Sequence, residues 1–253
     1  MKLGVVLPTY NEAKNISVLI SQIFKYTSSQ YTPHVQTFVI VVDDNSPDGT
    51  AAIVKTLARK TKNDPTKKNH KKNHIILIHR KGKLGLGTAY LTGFKKALAL
   101  KMDYIITMDS DLSHDPAALP LFIAKLKDVD IVLGARYIPE GGIENWNWFR
   151  RSMSRGANAI ARLVLGFPTH DVTSGYRCYA AKVLRSLPID TLKSSGYSFL
   201  QELLFLCYKA GFTVGEVPII FYDRAYGVSK LGKKEIINFF ITLFRLKFHK
   251  LYK

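Results

Sequence analysis

Short apolar runs alternate with longer amphipathic segments through the first half of the chain, and this rhythm constrains the fold more than any other feature. The apolar runs lie at residues 3–9, 37–42, 75–78, 104–108 and 131–133. They are rich in β-branched residues and short enough to be buried strands. The intervening segments carry apolar residues at helical spacing. This alternation predicts an α/β fold, namely a Rossmann-like, mostly parallel sheet with helices on both faces.

The rhythm changes after residue 137. A loop rich in glycine and aromatic residues is expected at 141–148, helices at 152–165 and 197–209, and a strand at 214–221. The last predicted helix, 235–251, has a broad apolar face flanked by lysine and arginine. Such a basic amphipathic helix can lie on a bilayer or pack on its own sheet, and both interpretations stay open.

The fourth apolar run ends in Asp109-Ser110-Asp111. Side chains two residues apart on an extended chain point the same way, so the two carboxylates can meet at the carboxyl end of a strand. Paired carboxylates suit a hard divalent cation such as Mg²⁺ or Mn²⁺, with water and ligand phosphates completing the shell. A simple turn explains these two residues about as well. Asp115 before Pro116 predicts a helix N-cap.

Two further polar clusters end apolar runs, at residues 9–12 and 43–46. Three such ends at one sheet edge predict a nucleotide site, because ligands of open α/β sheets bind at the carboxyl ends of strands. The glycines of 82–87 fit neither a P-loop nor a dinucleotide fingerprint, and we interpret them as a tight strand-to-helix turn beside the nucleotide. His114 and His170 have no metal-ligand spacing, which favours core or surface roles.

The net charge of +18 is unevenly distributed. Residues 55–83 carry 11 Lys/Arg and one acid, and residues 224–253 carry eight and one. Basic surfaces attract nucleic acid, anionic membranes or phosphorylated substrates. Nucleic acid is the weakest of these, since it leaves the acidic strand ends unexplained and no binding-module signature is present. No apolar run reaches the roughly 18 residues that a membrane-spanning helix needs.

The ordered motifs of the chain resemble those of the dolichyl-phosphate mannosyltransferases. These motifs are VVLPTYNE at 5–12, VVDDNSPDGT at 41–50, KLGLGTAY at 83–90, MDSDLSHDP at 108–116, GARY at 134–137, SRGAN at 154–158 and EVPIIFYDRAYGVSKLG at 216–232. The resemblance implies a GT-A glycosyltransferase fold and transfer of mannose from GDP-mannose to dolichyl phosphate with inversion, using Mg²⁺ or Mn²⁺. A polyprenyl-phosphate glucosyltransferase that uses UDP-glucose is the alternative, because the same motifs serve it.

The resemblance also implies a set of site residues. In donor binding they would be Pro8, Tyr10, Glu12, Val42, Asp44, Asp109, Ser110, Asp111, Arg136, Arg224 and Lys230. Asp109 and Asp111 would hold the metal, and Arg136, Arg150 and Ser154 would bind the acceptor phosphate. Asp111 and Arg136 would act in catalysis. From position alone, Arg150 is an ordinary charge at the start of a helix, and only the motif favours an acceptor role.

The implied organisation is a single catalytic domain over 1–232 followed by the basic helix 233–253. Residues 1–137 would bind the nucleotide sugar and 138–232 the acceptor. The implied location is the cytosolic face of the endoplasmic reticulum membrane, or the cytoplasmic membrane in a prokaryote, with small membrane subunits as possible anchors. Ser113 departs from members with glutamine at this position. The Lys/Asn-rich segment 61–73 looks inserted and has no assigned function.

Overall fold

The computed structural model describes residues 1–62, 73–192, 194, 196, 198–223 and 233–248, the last segment without the side chains of 233–236. The strands are β1 (Lys2–Thr9), β2 (Gln36–Asp43), β3 (His74–His79), β4 (Tyr104–Thr107), β5 (Ile131–Ala135), β6 (Gly142–Ile143), β7 (Arg177–Ala180), β8 (Val214–Pro218) and β9 (Ile220–Phe221). The helices are α1 (Ile16–Tyr26), α2 (Thr50–Lys62), α3 (Leu86–Ala99), α4 (Leu119–Lys125), α5 (Trp148–Leu165), α6 (Ala181–Ser186), α7 (Ser198–Lys209) and α8 (Lys233–Phe248).

Within the described residues, seven strands form one sheet in the order β3-β2-β1-β4-β7-β5-β8. β7 runs antiparallel to both of its neighbours, and the other pairings are parallel. The short strands β6 and β9 form a separate pair. The predicted mostly parallel α/β sheet is therefore confirmed. Strands β7 and β8 from the second half of the chain complete the same sheet as the first half.

Helices cover both faces of the sheet because the central strands are apolar on both sides. In β1, Val5 and Leu7 pack against α1 and α4, whereas Val6 packs against α3 on the opposite face. This split follows the two-residue period of a strand. Gly93 of α3 lies so close to Val6 that a side chain there would clash. The close contact brings α3, and the glycine loop before it, against the central strands.

Several predicted boundaries were wrong, each for a local reason. The first helix begins at Ile16 rather than near Glu12. The N–H groups of Glu12 and Ala13 donate to the side chains of Thr50, at the start of α2, and of Asp48, in the loop after β2. The predicted helix 116–127 is a 3-10 turn followed by α4, although Asp115 does cap its start.

The second half also differs from the prediction. Helix α5 starts at Trp148, four residues early, because the side chain of Asn147 accepts from the Arg150 N–H. The predicted strand 214–221 divides at Ile219 into β8 and β9. The strand β7 and the helix α6 were not predicted. The final helix is present as α8, and none of the described helices is long and apolar enough to cross a membrane.

Candidate active site

Three neighbouring parallel strands, β1, β2 and β4, end at the same edge of the sheet. β1 pairs with β2 as far as Thr9 opposite Asp43, and pairs with β4 on its other side. A residue with positive φ follows each strand: Asn11 at 62°, Asn45 at 58° and Leu112 at 65°. This left-handed conformation is costly for residues other than glycine, and it recurs where a site needs a particular backbone. The three predicted polar clusters are therefore brought together.

The Asp109-Ser110-Asp111 motif is tied to the strands and helix around it. The Ser110 hydroxyl donates to the Pro8 carbonyl oxygen over 2.8 Å, and the Tyr90 hydroxyl donates to Asp109 Oδ1 over 3.3 Å. Asp111 is almost fully buried, whereas the Asp109 side chain is 18% exposed. The motif thus lies in a fixed position at the end of β4, with Asp109 the more accessible carboxylate.

The buried His114 ring contacts the backbone of Asp109. The ring is 1% exposed, and its Nδ1 accepts from the Asp109 backbone N–H over 3.0 Å. Burial lowers the pKa of His114, while the Asp109 and Asp111 charges act in the opposite direction. An Nδ1 that accepts a hydrogen bond carries no proton, so the ring is neutral and places no positive charge beside Asp109. Of the core and surface roles predicted for His114, the structure shows the core role, and the contact with the motif was not predicted.

The chemistry of the two carboxylates fits a divalent cation. Among the described residues, no group of three or more His, Cys, Asp or Glu side chains is placed to hold a metal. Asp109 and Asp111 would therefore supply the protein ligands, with water and phosphate oxygens completing the shell. The Ser113 hydroxyl is buried with no hydrogen-bond partner in the described structure, and the Ser113 N–H donates to Asp111 Oδ1 over 3.1 Å. A ligand or water next to Asp111 would satisfy this hydroxyl.

Asp44 is engaged by a residue that the sequence analysis did not select. The Arg80 guanidinium forms an ion pair with Asp44, and both side chains are over 90% buried. Arg80 also donates to the Thr88 hydroxyl over 2.7 Å and to the Gly85 carbonyl over 3.1 Å, and the Leu84 N–H donates to Asp44 Oδ2 over 3.2 Å. Asp44 and Arg80 therefore hold the glycine loop before α3 at the same edge of the sheet. The position of Arg80 directly after β3 was the available signal.

The other predicted donor residues that the structure describes lie at the same edge. Lys83 of the glycine loop lies 4.7 Å from the centre of the Tyr10 ring. Glu12 accepts from the Asn15 side chain over 2.8 Å. Val42 is buried, and its carbonyl, like that of Pro8, binds a serine or threonine hydroxyl. Arg224 and Lys230 lie outside the described residues.

Arg136 lies at the same edge, directly after β5, and forms a bidentate ion pair with Asp171. Its Nε and Nη2 donate to Asp171 over 2.7 and 2.9 Å, and Nη2 also donates to Thr173 over 2.7 Å. Burial opposes the charge of Arg136, but Asp171 outweighs it and raises the arginine pKa. Burial by itself would raise the pKa of Asp171, but the Arg136 charge outweighs burial, so the pKa of Asp171 is lowered. Asp171 occupies the Nε edge of the guanidinium, so a phosphate would meet Arg136 on the Nη1 side.

The remaining acceptor residues are on α5. The Arg150 guanidinium lies 3.0 Å from Asp223 and 3.9 Å from the centre of the Trp146 ring. Phe221 lies between Trp146 and Arg136, 5.4 Å and 5.5 Å away respectively. Phe221 also meets the His114 ring at 5.4 Å. An aromatic row thus links the Asp109-Ser110-Asp111 motif, Arg136 and Arg150.

Ser154, one turn after Arg150, accepts a hydrogen bond from the Tyr137 hydroxyl over 2.7 Å. Tyr137 follows Arg136 directly, and the Arg136 guanidinium lies 5.2 Å from its ring centre. The predicted acceptor residues therefore belong to one connected surface.

A Rossmann-like sheet with paired carboxylates after a central strand is compatible with a glycosyltransferase, and the match to a glycosyltransferase family places the protein in that class of enzymes. The chain belongs to glycosyl transferase family 2, which it matches over residues 4–187. It is 37% identical over 233 residues to a polyprenol monophosphomannose synthase of Mycolicibacterium smegmatis, covering 92% of this chain and 82% of that relative. It is 34% identical over 232 residues to an undecaprenyl-phosphate mannosyltransferase of Micrococcus luteus, covering 92% and 88%.

Among solved structures, the chain is similar to glucosyl-3-phosphoglycerate synthase of Mycobacterium tuberculosis in complex with Mn²⁺, UDP and glucosyl-3-phosphoglycerate. The TM-score is 0.64 at 20% identity, covering 97% of this chain and 80% of that one. At this identity the likeness supports the fold alone. Together with the two relatives, the family confirms the resemblance to polyprenyl-phosphate mannosyltransferases that the motifs gave.

Proposed function

We propose that this protein transfers mannose from GDP-mannose to a polyprenyl phosphate, dolichyl phosphate in the first instance, with inversion and with Mg²⁺ or Mn²⁺. The products would be GDP and a polyprenyl β-mannosyl phosphate. The observation that carries this proposal is the aromatic row from His114, beside the Asp109 motif, through Phe221 to Arg150. It links the Asp109 motif, which would hold a nucleotide diphosphate through a divalent cation, to arginines suited to a second phosphate.

On the donor side, the base would lie against Tyr10, with Asp44 accepting from its ring N–H groups. The carboxylate of Asp44 already binds Arg80, so base recognition would use its remaining lone pairs or require Arg80 to shift. A divalent cation held by Asp109 and Asp111 would neutralise the diphosphate and stabilise the departing GDP. The neutral His114 ring keeps the full negative charge of Asp109 available for this role.

On the acceptor side, no strong general base is needed. A phosphate monoester has a second pKa of about 6 and is largely dianionic at neutral pH, so it is already a nucleophile. The work of the protein is to position this group and stabilise its charge. Arg136 would present Nη1 to it, held in place by Asp171, while Arg150 and Ser154 would bind it from α5. In-line attack on the α-linked donor would give the β-linked product.

A polyprenyl acceptor requires contact with a membrane. On α5, Trp148, Phe149 and Leu163 are 77%, 58% and 85% exposed. On α8, Ile241 and Phe244 are 58% and 61% exposed. We propose that these apolar side chains rest on the bilayer, at the cytosolic face of the endoplasmic reticulum or, in a prokaryote, at the cytoplasmic membrane. Anchoring by small membrane subunits stays a prediction.

The proposal is tested with a donor panel. The purified protein is incubated with dolichyl phosphate and radiolabelled GDP-mannose or UDP-glucose, and label in the extracted lipid is counted. We expect label from GDP-mannose alone. A preference for UDP-glucose would establish the glucosyl alternative, and no lipid label from either donor would refute the proposal.

A further inference from the structure

A cavity lined by Arg136 extends to Arg155, Arg162 and His170, to which the roles above assign nothing. It has a volume of about 390 Å³, and a smaller hollow of about 250 Å³ shares part of its wall. No Asp or Glu is among the described residues that line either space. The polar lining of the larger cavity consists of Arg136, Tyr137, Arg155, Asn158, Arg162 and His170.

The cavity carries positive charge that the described protein does not neutralise. Arg151, Arg155 and Arg162 stand on one face of α5, at positions i, i+4 and i+11. None of the three forms an ion pair with a described acidic residue, and Arg162 Nε is buried with no hydrogen-bond partner in that part of the chain. By contrast, Arg136 is paired with Asp171 and His170 with Glu216. A buried guanidinium N–H without an acceptor is unfavourable, so an anion bound in the cavity would stabilise Arg162.

Hydrogen bonds and ring contacts within the protein hold the wall of the cavity in place. Asn158 is 4% exposed, accepts from the Val172 N–H over 2.9 Å and donates to the His170 carbonyl. Tyr137 lies between two guanidiniums, 5.2 Å from that of Arg136 and 5.8 Å from that of Arg155. These contacts fix the spacing between α5 and the segments after β5 and before β7. Arginine forks beside such a wall suit the oxygens of a phosphate group.

We propose that the part of this cavity around Arg155 and Arg162 is a phosphate-binding site distinct from the one at Arg150 and Ser154, although Arg136 belongs both to the cavity wall and to the predicted acceptor site. Its ligand is either the phosphate of a lipid headgroup or free phosphate. Leu163, next to Arg162 in the chain, is 85% exposed, which favours a lipid because an acyl chain could leave along it. The inference rests on the charge and geometry of the cavity and stands independently of the mannosyl reaction.

The test uses the full chain and the double variant Arg155→Gln/Arg162→Gln. The matched control is Arg59→Gln/Arg185→Gln, which removes the same charge from exposed arginines on α2 and α6. In the first arm, thermal unfolding is measured in sodium phosphate and in sodium chloride of equal ionic strength, since a ligand of the folded state raises the unfolding temperature. In the second arm, flotation is measured with phosphatidylcholine vesicles with and without phosphatidic acid.

We expect phosphate to stabilise the wild type and the control but not the cavity variant, whose affinity should fall roughly tenfold or more per lost contact. Flotation that requires both phosphatidic acid and the two arginines identifies a lipid headgroup. Phosphate stabilisation with flotation indifferent to phosphatidic acid identifies free phosphate. If the double variant fails to fold, Arg155→Gln alone and Arg162→Lys replace it, and the lysine should retain binding.

Two results would overturn the site. One is equal binding by the wild type and the cavity variant in both arms, including no binding by either. The other is loss of the phosphate effect in Arg150→Ala with its retention in the cavity variant, which would assign the anion to the acceptor residues. Neither readout measures transfer, so failure of this site and failure of the proposed reaction are distinguishable.

Discussion

Buried arginine–carboxylate pairs fix the side chains at the sheet edge. Arg136 binds Asp171 through two guanidinium nitrogens, and Arg80 binds Asp44 while holding the glycine loop. In both cases the arginine follows a strand directly. Such pairs contribute little net stability, because desolvation opposes the attraction, but removing one partner leaves a buried charge uncompensated. Their effect here is to give each arginine one orientation.

Asp171→Asn should therefore be strongly destabilising. It leaves the Arg136 charge buried without a counter-ion, which costs about 3–5 kcal/mol. The midpoint of urea unfolding measures the loss. The matched control is Asp128→Asn, because Asp128 is 65% exposed and 3.5 Å from Lys125, and exposed pairs contribute about 0–1 kcal/mol. Equal unfolding midpoints for the two variants would show that Arg136 does not depend on Asp171.

The same pair predicts a pH dependence. Arg136 lowers the pKa of Asp171 in the folded state below that of the unfolded chain, about 3.9. The stabilisation is thus complete above this value and is lost as the pH falls through the folded pKa. The stability difference between the wild type and Asp171→Asn should be constant near neutral pH and shrink in strong acid. A difference that grows on acidification would contradict this sign.

Asp109→Asn and Asp111→Asn should each abolish transfer without unfolding the protein. The amide keeps the shape of the side chain but lacks the charge that a divalent cation requires. EDTA should stop the wild type, and Mg²⁺ or Mn²⁺ should restore it. Transfer is measured as label in extracted lipid, and Asp128→Asn serves as the control. Full turnover in EDTA would rule out the metal role.

At the scale of elements, the hydrophobic period was the reliable signal. The strands β1 to β5 match the predicted runs closely, because continuous apolar residues are buried on both faces. β7 was missed because Arg177-Cys178-Tyr179-Ala180 is short and begins with a charged residue. The Arg177 side chain is nonetheless fully buried, with its charge bound by the carbonyls of Val172, Ser174 and Leu200. No local sequence pattern predicts a buried arginine whose hydrogen-bond partners are backbone carbonyls.

Among the site residues, those close in sequence could be found and their partners could not. Asp109 and Asp111 are visible as a motif, but Asp171 lies 35 residues from Arg136 and only the fold brings it near. Phe221 reads as an ordinary strand residue, although it contacts both His114 and Arg136. Contacts between distant segments depend on strand order, which the periodicity does not supply.

Helix α8 packs on the domain, which confirms one of the two interpretations of its sequence, and contact with a bilayer stays a prediction. Leu243 and Leu246 are buried against the domain, and Arg245 binds the buried Glu202 over 3.0 Å. The position of Arg245 beside the apolar face suggested a charge that faces the membrane. Its contact with Glu202 instead directs this charge toward the domain. Ile241 and Phe244 remain exposed. Removing the whole helix would uncover the core, so its role at a membrane is better tested by substitutions on the exposed side.

Ile241→Ser/Phe244→Ser should weaken vesicle binding and leave the fold intact. Burying a side chain of this size in an apolar phase contributes about 1.5–3 kcal/mol, so we expect vesicle partitioning to fall tenfold or more. Flotation with phosphatidylcholine vesicles measures it. The control is Val18→Ser/Leu121→Ser, since both residues are 48% exposed and lie on helices of the opposite face of the sheet. Equal losses in both variants would argue against a specific membrane-facing side.

At the scale of the whole molecule, the predicted donor and acceptor halves share one sheet rather than forming separate bodies. The antiparallel β7 lies between β4 and β5. The Asp109-Ser110-Asp111 motif follows β4, and Arg136 follows β5. Phe221, far along the chain, bridges the two strand ends. A change in one half can therefore be assigned to its substrate only by comparing the kinetics of both substrates.

Arg150 offers that comparison. It lies at the acceptor end of the aromatic row, 33% exposed, and its pair with Asp223 is a surface contact whose loss should cost little stability. Losing one charge-assisted contact to a phosphate costs about 1.5–3 kcal/mol, or roughly 10- to 150-fold in transfer at subsaturating acceptor. Arg150→Ala should raise the apparent KM for dolichyl phosphate by this factor and leave the KM for GDP-mannose within a few-fold. Arg185→Ala, on α6, should change neither. A variant that loses affinity for GDP-mannose and keeps it for the lipid would place Arg150 on the donor side instead.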